Sequence, residues 1–222
     1  MRKKTAKDTT IRVELADFAP GIMPFLSIAA LTQLSLYEAA TKGVLGAPDL
    51  ESKGAMAEIA AAALKKHKSF TAEITRRGSK PHIEMAKYQS PSQDYQKRTK
   101  VDDWHQHVLS VWLGGGLFES FLIEIAAGLK SSYKKEAIAI LREDSGRKAL
   151  EKLLSSQIAA DATVADRLAM WGRRLVGDTL LLAREILLLS ENRAFVATEM
   201  EPIFTEITAG HMQRMDSLGL TA

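Results

Sequence analysis

The side chains in this sequence best placed to do chemistry are histidines and carboxylates on long helical segments. Such groups, facing into a helical bundle, can hold a pair of iron or manganese ions. The centre takes a Glu from each of two helices and a Glu-x-x-His from each of the other two. Residues three apart share a helix face, so carboxylate and imidazole reach the same metal pair. The five histidines are His67, His82, His105, His107 and His211, preceded three residues earlier by Leu64, Ser79, Asp102, Trp104 and Thr208. No Glu-x-x-His occurs. Asp102-x-x-His105 has the spacing but falls at a helix start, where Asp is expected as a cap. His67 lies on an apolar helical stripe, where a single His is usually a satisfied core residue. Glu38, Glu119, Glu124 and Glu143 are acids on long helices, and an acid there usually belongs to the solvated face. Arg147 lies near Glu143 and Asp144 in a segment interrupted by Gly146, which reads as a surface patch of weak ion pairs.

Other chemistries are excluded more directly. The chain has no cysteine, so disulfides, thiolate zinc sites, iron–sulfur clusters and cysteine nucleophiles are ruled out. Gly114-Gly115-Gly116 follows no strand and opens no helix, so it is a poor phosphate loop. Inside a helix three glycines cost roughly 1 kcal/mol each against Ala, and they can permit close helix approach. There is no nucleophile elbow, no phosphate-loop lysine motif and no kinase set.

The elements that must position these residues are all helical. Helix one is expected from Pro24 to about Lys42, stopped by Gly43 and Gly46. Asp49 should cap helix two, which runs to Arg76-Arg77 with basic residues at its negative end. Met56, Ile59, Ala63, His67, Phe70 and Ile74 form its apolar stripe. Residues 79–101 form a long polar connection with room for one short helix. Asp102 or Asp103 should cap helix three, whose stripe is Trp104, Val108, Val111, Phe118, Phe121 and Ile125. Helix four is expected over 133–159, helix five from Asp161 to about Ser190, and helix six from Pro202 to about Leu218. No segment alternates with period two, so no sheet is expected. The pattern is an all-α bundle of four helices with a crossover connection, plus additional C-terminal helices.

With 222 residues and 46% of them apolar, one domain over 21–222 can bury a sizeable core. The net charge is +3, and residues 1–12 hold five basic residues and one acid. The basicity therefore sits in a flexible tail, residues 1–20, and the remainder is nearly neutral. Such a tail reads as a solvated start, with contact to RNA or an acidic surface as the alternative. No secretory pattern is visible, and the longest apolar stretch, Phe25 to Tyr37, is short for a bilayer span. The expectation is a soluble cytoplasmic protein without membrane contact. The run Leu180-Leu-Leu182 with Ile186-Leu-Leu-Leu189 is apolar nearly all round, which points to a homodimer through that helix face.

The stretches Arg167-Leu-Ala-Met-Trp171-Gly-Arg-Arg-Leu-Val-Gly177-Asp and Phe204-Thr-Glu-Ile-Thr-Ala-Gly-His211-Met-Gln-Arg-Met215-Asp-Ser-Leu-Gly-Leu220 resemble a known family. They are similar to the actinobacterial ferritin-like proteins grouped with tRNA methylthio-isopentenyl-adenosine hydroxylase. Leu34-Ser-Leu-Tyr-Glu38, Gly78-Ser-Lys-Pro81 and Asp103-Trp104 support the resemblance. It implies a ferritin-like helical fold. In the hydroxylase branch it also implies two irons, oxygen activation and hydroxylation of a modified adenosine in tRNA.

The resemblance puts the first-helix Glu on Gln33 and the second-helix Glu-x-x-His on Leu64 and His67. Glu119 is the nearest acid to the third-helix ligand position, and Asp144-x-x-Arg147 matches the fourth-helix acid-x-x-His. Two ferrous ions bring about four positive charges, normally balanced by bound carboxylates. This tally offers two acids and a permanent guanidinium, which would repel metal and pair with the leftover acids. The expectation is a metal-free pocket formed by Gln33, Leu64, His67, Glu119, Asp144 and Arg147, in a non-catalytic protein acting through binding or assembly. The alternative is a di-iron or di-manganese oxygenase on modified tRNA adenosine, using Glu38, His67, Glu119, Glu124 and Asp144. A third reading is a bundle that binds an apolar ligand or protein partner in its core or at the 180–189 face.

Overall fold

The computed structural model describes residues 14–189 and 200–220, and every regular element among them is helical. The chain runs α1 (Ile22–Gly46), α2 (Leu50–Arg76), α3 (Pro81–Ala86), α4 (Gln89–Arg98), α5 (Trp104–Ala127), α6 (Lys134–Arg142), α7 (Arg147–Ala160), α8 (Ala162–Leu189) and α9 (Met200–Ser217). Helix α1 lies along α2 and α5, while α6 and α7 touch both α5 and α2. These contacts close a ring of four: α1, α2, α5 and the broken helix α6–α7. Helices α3 and α4 form the crossover, and α8 and α9 add a layer over α5.

Local sequence explains most of the boundaries. Asp49 caps α2 by accepting the Ser52 N–H at 2.7 Å, and Asp103 caps α5 by accepting the Gln106 N–H at 2.9 Å. Gly43, expected as a stop, lies inside α1. A Cβ there would stand 2.1 Å from Met56 Cε, so this glycine lets α2 approach. The polar connection 79–101 holds two helices rather than one, with Pro81 at the first turn of α3.

The expected single helix over 133–159 is corrected to two. Gly146 sits at φ +70°, a left-handed conformation that favours glycine, and Asp144 Oδ1 accepts its N–H at 3.0 Å. A Cβ at Gly146 would also meet Glu58 Cβ at 3.3 Å on α2. The break therefore lets the fourth helix turn against its neighbour.

Part of the segment expected to be a flexible tail is packed on the fold. Leu15–Phe18 form a 3-10 turn against α5, with Leu15 and Phe18 buried. The basic run of residues 1–12 lies outside the described residues. The expectation about membrane length is also corrected, since α1 and α5 are long and apolar enough to cross a bilayer. Fourteen of the 24 residues of α5 are buried within the fold, which accounts for their apolarity as core. The apolar run of α8 is likewise used internally. Leu182, Ala183, Ile186 and Leu187 are buried, whereas Leu181 is exposed. Leu180 and Leu188 are half-buried, so the run from which a homodimer was expected is partly taken up within the fold.

Candidate functional site

Glu119 sits on the inner face of α5 and is 6% exposed. Its Oε1 accepts a hydrogen bond from the Lys66 ammonium of α2, and its Oε2 accepts one from the Arg147 guanidinium of α7. Lys66 is 1% exposed and also donates to the Leu141 carbonyl at 2.8 Å. That carbonyl lies in the last turn of α6, where no intrahelical partner remains. The break at Gly146 thus has two consequences. It frees a carbonyl at a helix C-terminus, where a cation is favoured, and it starts α7 at Arg147. One carboxylate so ties α5 to α2, α6 and α7.

Gly116, one turn before Glu119, leaves space for the basic groups. A Cβ there would stand 2.9 Å from Arg214 Nε and 3.2 Å from an Arg147 nitrogen. Arg214 of α9 donates to the Gly116 carbonyl at 3.1 Å and to Ser120 Oγ at 2.6 Å. Burial, reinforced by the Arg147 charge, pushes the Lys66 ammonium down to about 8, against the pull of Glu143 and Asp144. Burial, and then Arg214, lowers Arg147 to about 10, so both groups are cationic at neutral pH.

Of the residues expected to share one pocket, Glu119 and Arg147 meet. Arg147 does not pair with its sequence neighbours; Glu143 is exposed and pairs with Lys65 at 2.8 Å. Asp144 does not enter the bundle. It is exposed and caps Gly146 instead. His67, half-buried, donates its Nδ1–H to the Ala30 carbonyl of α1 at 2.8 Å, so this ring nitrogen is satisfied by backbone. Leu64 is half-buried. The alternative ligand set is not gathered, because Glu38 and Glu124 are exposed and Glu38 accepts from Gln96 at 3.3 Å.

Lys66 was missed by sequence reasoning. The signal was present: Lys66 lies three residues after Ala63 and four before Phe70, on the buried stripe of α2.

The fold invites the question whether this centre could hold two metal ions. The donor set does not fit. Two ferrous ions need several free carboxylates, whereas both oxygens of Glu119 already face cations. Among the described residues, no group of three or more His, Asp and Glu stands close enough to hold a metal ion.

Gln33 of α1 is 2% exposed and lines a cavity of about 670 Å³ bounded by α1, α4, α5 and α8, to which Lys66, Glu119 and Arg147 do not contribute. The glycines of α5 shape that wall. A Cβ at Gly114 would stand 2.9 Å from the Tyr95 hydroxyl, and one at Gly115 would stand 3.0 Å from Leu36 Cδ1.

Two comparisons bear on this arrangement. A family model described as a ferritin-like domain of actinomycetes matches residues 16–200. No curated protein matches the chain.

Proposed function

The chain belongs to the ferritin-like domain family of actinomycetes, and on that premise we propose a non-catalytic, metal-independent member that works through binding. The observation carrying this reading is Glu119. Its two oxygens are engaged by Lys66 and Arg147, so an ion-paired brace stands at the centre of the bundle. An arginine there stays charged and opposes metal entry. The cavity beside Gln33 then serves as the binding chamber, within the usual range of roughly 300–1,000 Å³ for small-molecule sites.

The relation to tRNA methylthio-isopentenyl-adenosine hydroxylase belongs to this reading as ancestry of the scaffold. A di-iron or di-manganese hydroxylase would need Glu38, His67, Glu119, Glu124 and Asp144 to converge, and three of these acids are exposed.

Elemental analysis of tag-free protein, produced with ample iron and manganese, tests the proposal. The expected content is well under one metal atom per chain. About two atoms per chain, the content of a di-metal carboxylate bundle, would overturn it and restore the hydroxylase reading.

A further inference from the structure

The cavity between α1, α4, α5 and α8 carries information about its occupant. Its deep wall is apolar, with Leu31 of α1, Val111 and Phe118 of α5, and Leu182 and Ile186 of α8 around the space. Several polar groups in that wall are already bonded within the protein. Ser35 and Ser92 bond each other at 2.9 Å, His107 Nε2–H donates to the Ala39 carbonyl at 2.8 Å, and Ser110 accepts from Trp171 at 2.8 Å. The Tyr95 hydroxyl is bonded to Thr179. Gln33, a residue 2% exposed, lines the cavity, and its amide bonds no described residue. An amide open to a largely apolar chamber favours a ligand that pairs it, since a ligand without a polar group there leaves the amide shut away from water and unbonded.

The mouth has a different character. The charged residues exposed along it are Glu38, Lys42, Lys97 and Lys100. Lys97 is paired with Asp94 at 3.0 Å. Lys42 and Lys100 form no ion pair with a described residue, so the rim is electropositive. An apolar chamber, one deep amide and a basic rim are complementary to an amphipathic anion.

We propose that the cavity binds a long-chain acyl carboxylate bearing one in-chain oxygen, with the chain along α5, the oxygen at Gln33 and the carboxylate at the Lys42 and Lys100 rim. This deepens the reading of the chain as a binding protein and rests on it.

The test is calorimetric titration of the full chain, stripped of bound lipid, with a mid-chain hydroxystearate, stearate and octadecanol. The expected order of affinity is hydroxystearate, then stearate, then octadecanol. Lys42→Glu with Lys100→Glu lies on exposed positions and should fold. It should weaken both carboxylates by about tenfold and leave octadecanol unchanged. Gln33→Leu should erase the preference of hydroxystearate over stearate, a difference of about five- to tenfold, while stearate binding persists. Octadecanol binding as well as stearate, or the rim variant binding carboxylates like the native chain, overturns the head-group assignment. A hydroxystearate preference that survives Gln33→Leu overturns the role of the amide, and no binding of any probe overturns the proposal whole. Metal content is read separately. Two irons with intact stearate binding would refute only the metal-free reading.

Discussion

Replacing Glu119 with Gln preserves volume and removes the one carboxylate that faces two cations. The amide oxygen of the variant can accept from one of the two cations, but its NH2 faces the other and neither keeps a counter-charge. Lys66, at 1% exposure, would otherwise have only the Leu141 carbonyl. Arg147 has a side chain 28% exposed, so water screens part of its loss. Breaking a buried ion pair from one side costs roughly 3–5 kcal/mol. The partial exposure of Arg147 places this variant near the lower end, about 3 kcal/mol. For a chain of this size that corresponds to a fall in Tm of roughly 6–12 °C. Urea unfolding followed by circular dichroism at neutral pH gives the free energy directly. The companion variant replaces all three ionic residues: Lys66→Met, Glu119→Leu and Arg147→Met. Apolar replacement of a whole buried ion cluster is often neutral or stabilising, so the triple variant should be more stable than Glu119→Gln. A single variant within about 0.5 kcal/mol of the native protein, the size of an ordinary surface substitution, would refute the brace. So would a triple variant less stable than the single one.

Two further outcomes follow from the same geometry. A Cβ at Gly128 would stand 1.7 Å from the Ala16 carbonyl oxygen, a backbone atom that cannot swing aside. Gly128→Ala should therefore detach the Leu15–Phe18 turn from α5, costing about 1–3 kcal/mol, and hydrogen exchange at residues 15–19 should accelerate; unchanged exchange would contradict the packing. The second outcome concerns pH. Burial lowers Lys66 from 10.5 to about 8, so the folded chain releases this proton before the unfolded chain does. The contribution of Lys66 to stability is then fully present above 10.5 and lost as pH falls through 8. Tyr95 and Tyr133, raised to about 12 by burial, oppose this trend above about 10. The stability of the native chain relative to Lys66→Met should rise between pH 8 and pH 10. A flat difference across that window would show that Lys66 is not buried as a cation.

Helix positions were legible because they depend on local chemistry. Asp49 and Asp103 act as caps through hydrogen bonds spanning three residues, and a stripe such as Met56, Ile59, Ala63 and Phe70 records which face meets the core. The absence of Glu-x-x-His was equally plain, since that motif is defined within one turn of helix. The break at Gly146 was visible as a glycine, but its consequence was not. A positive φ at one residue redirects a whole helix, and nothing in the local sequence states where the next residue will point.

The sequence by itself therefore determined an all-helical chain, its caps and stripes, and the scarcity of metal-binding motifs. Tertiary structure decided which charges meet. Glu119 is partnered by residues 53 and 28 positions away, Lys66 and Arg147, while the nearer acid Asp144 turns to solvent. The physical reason is that an ion pair depends on distance and desolvation across helices, and neither is encoded in the spacing along one helix. The same holds for the cavity, whose volume arises from the gap left between α1, α4, α5 and α8 where Gly114 and Gly115 contribute no side chains.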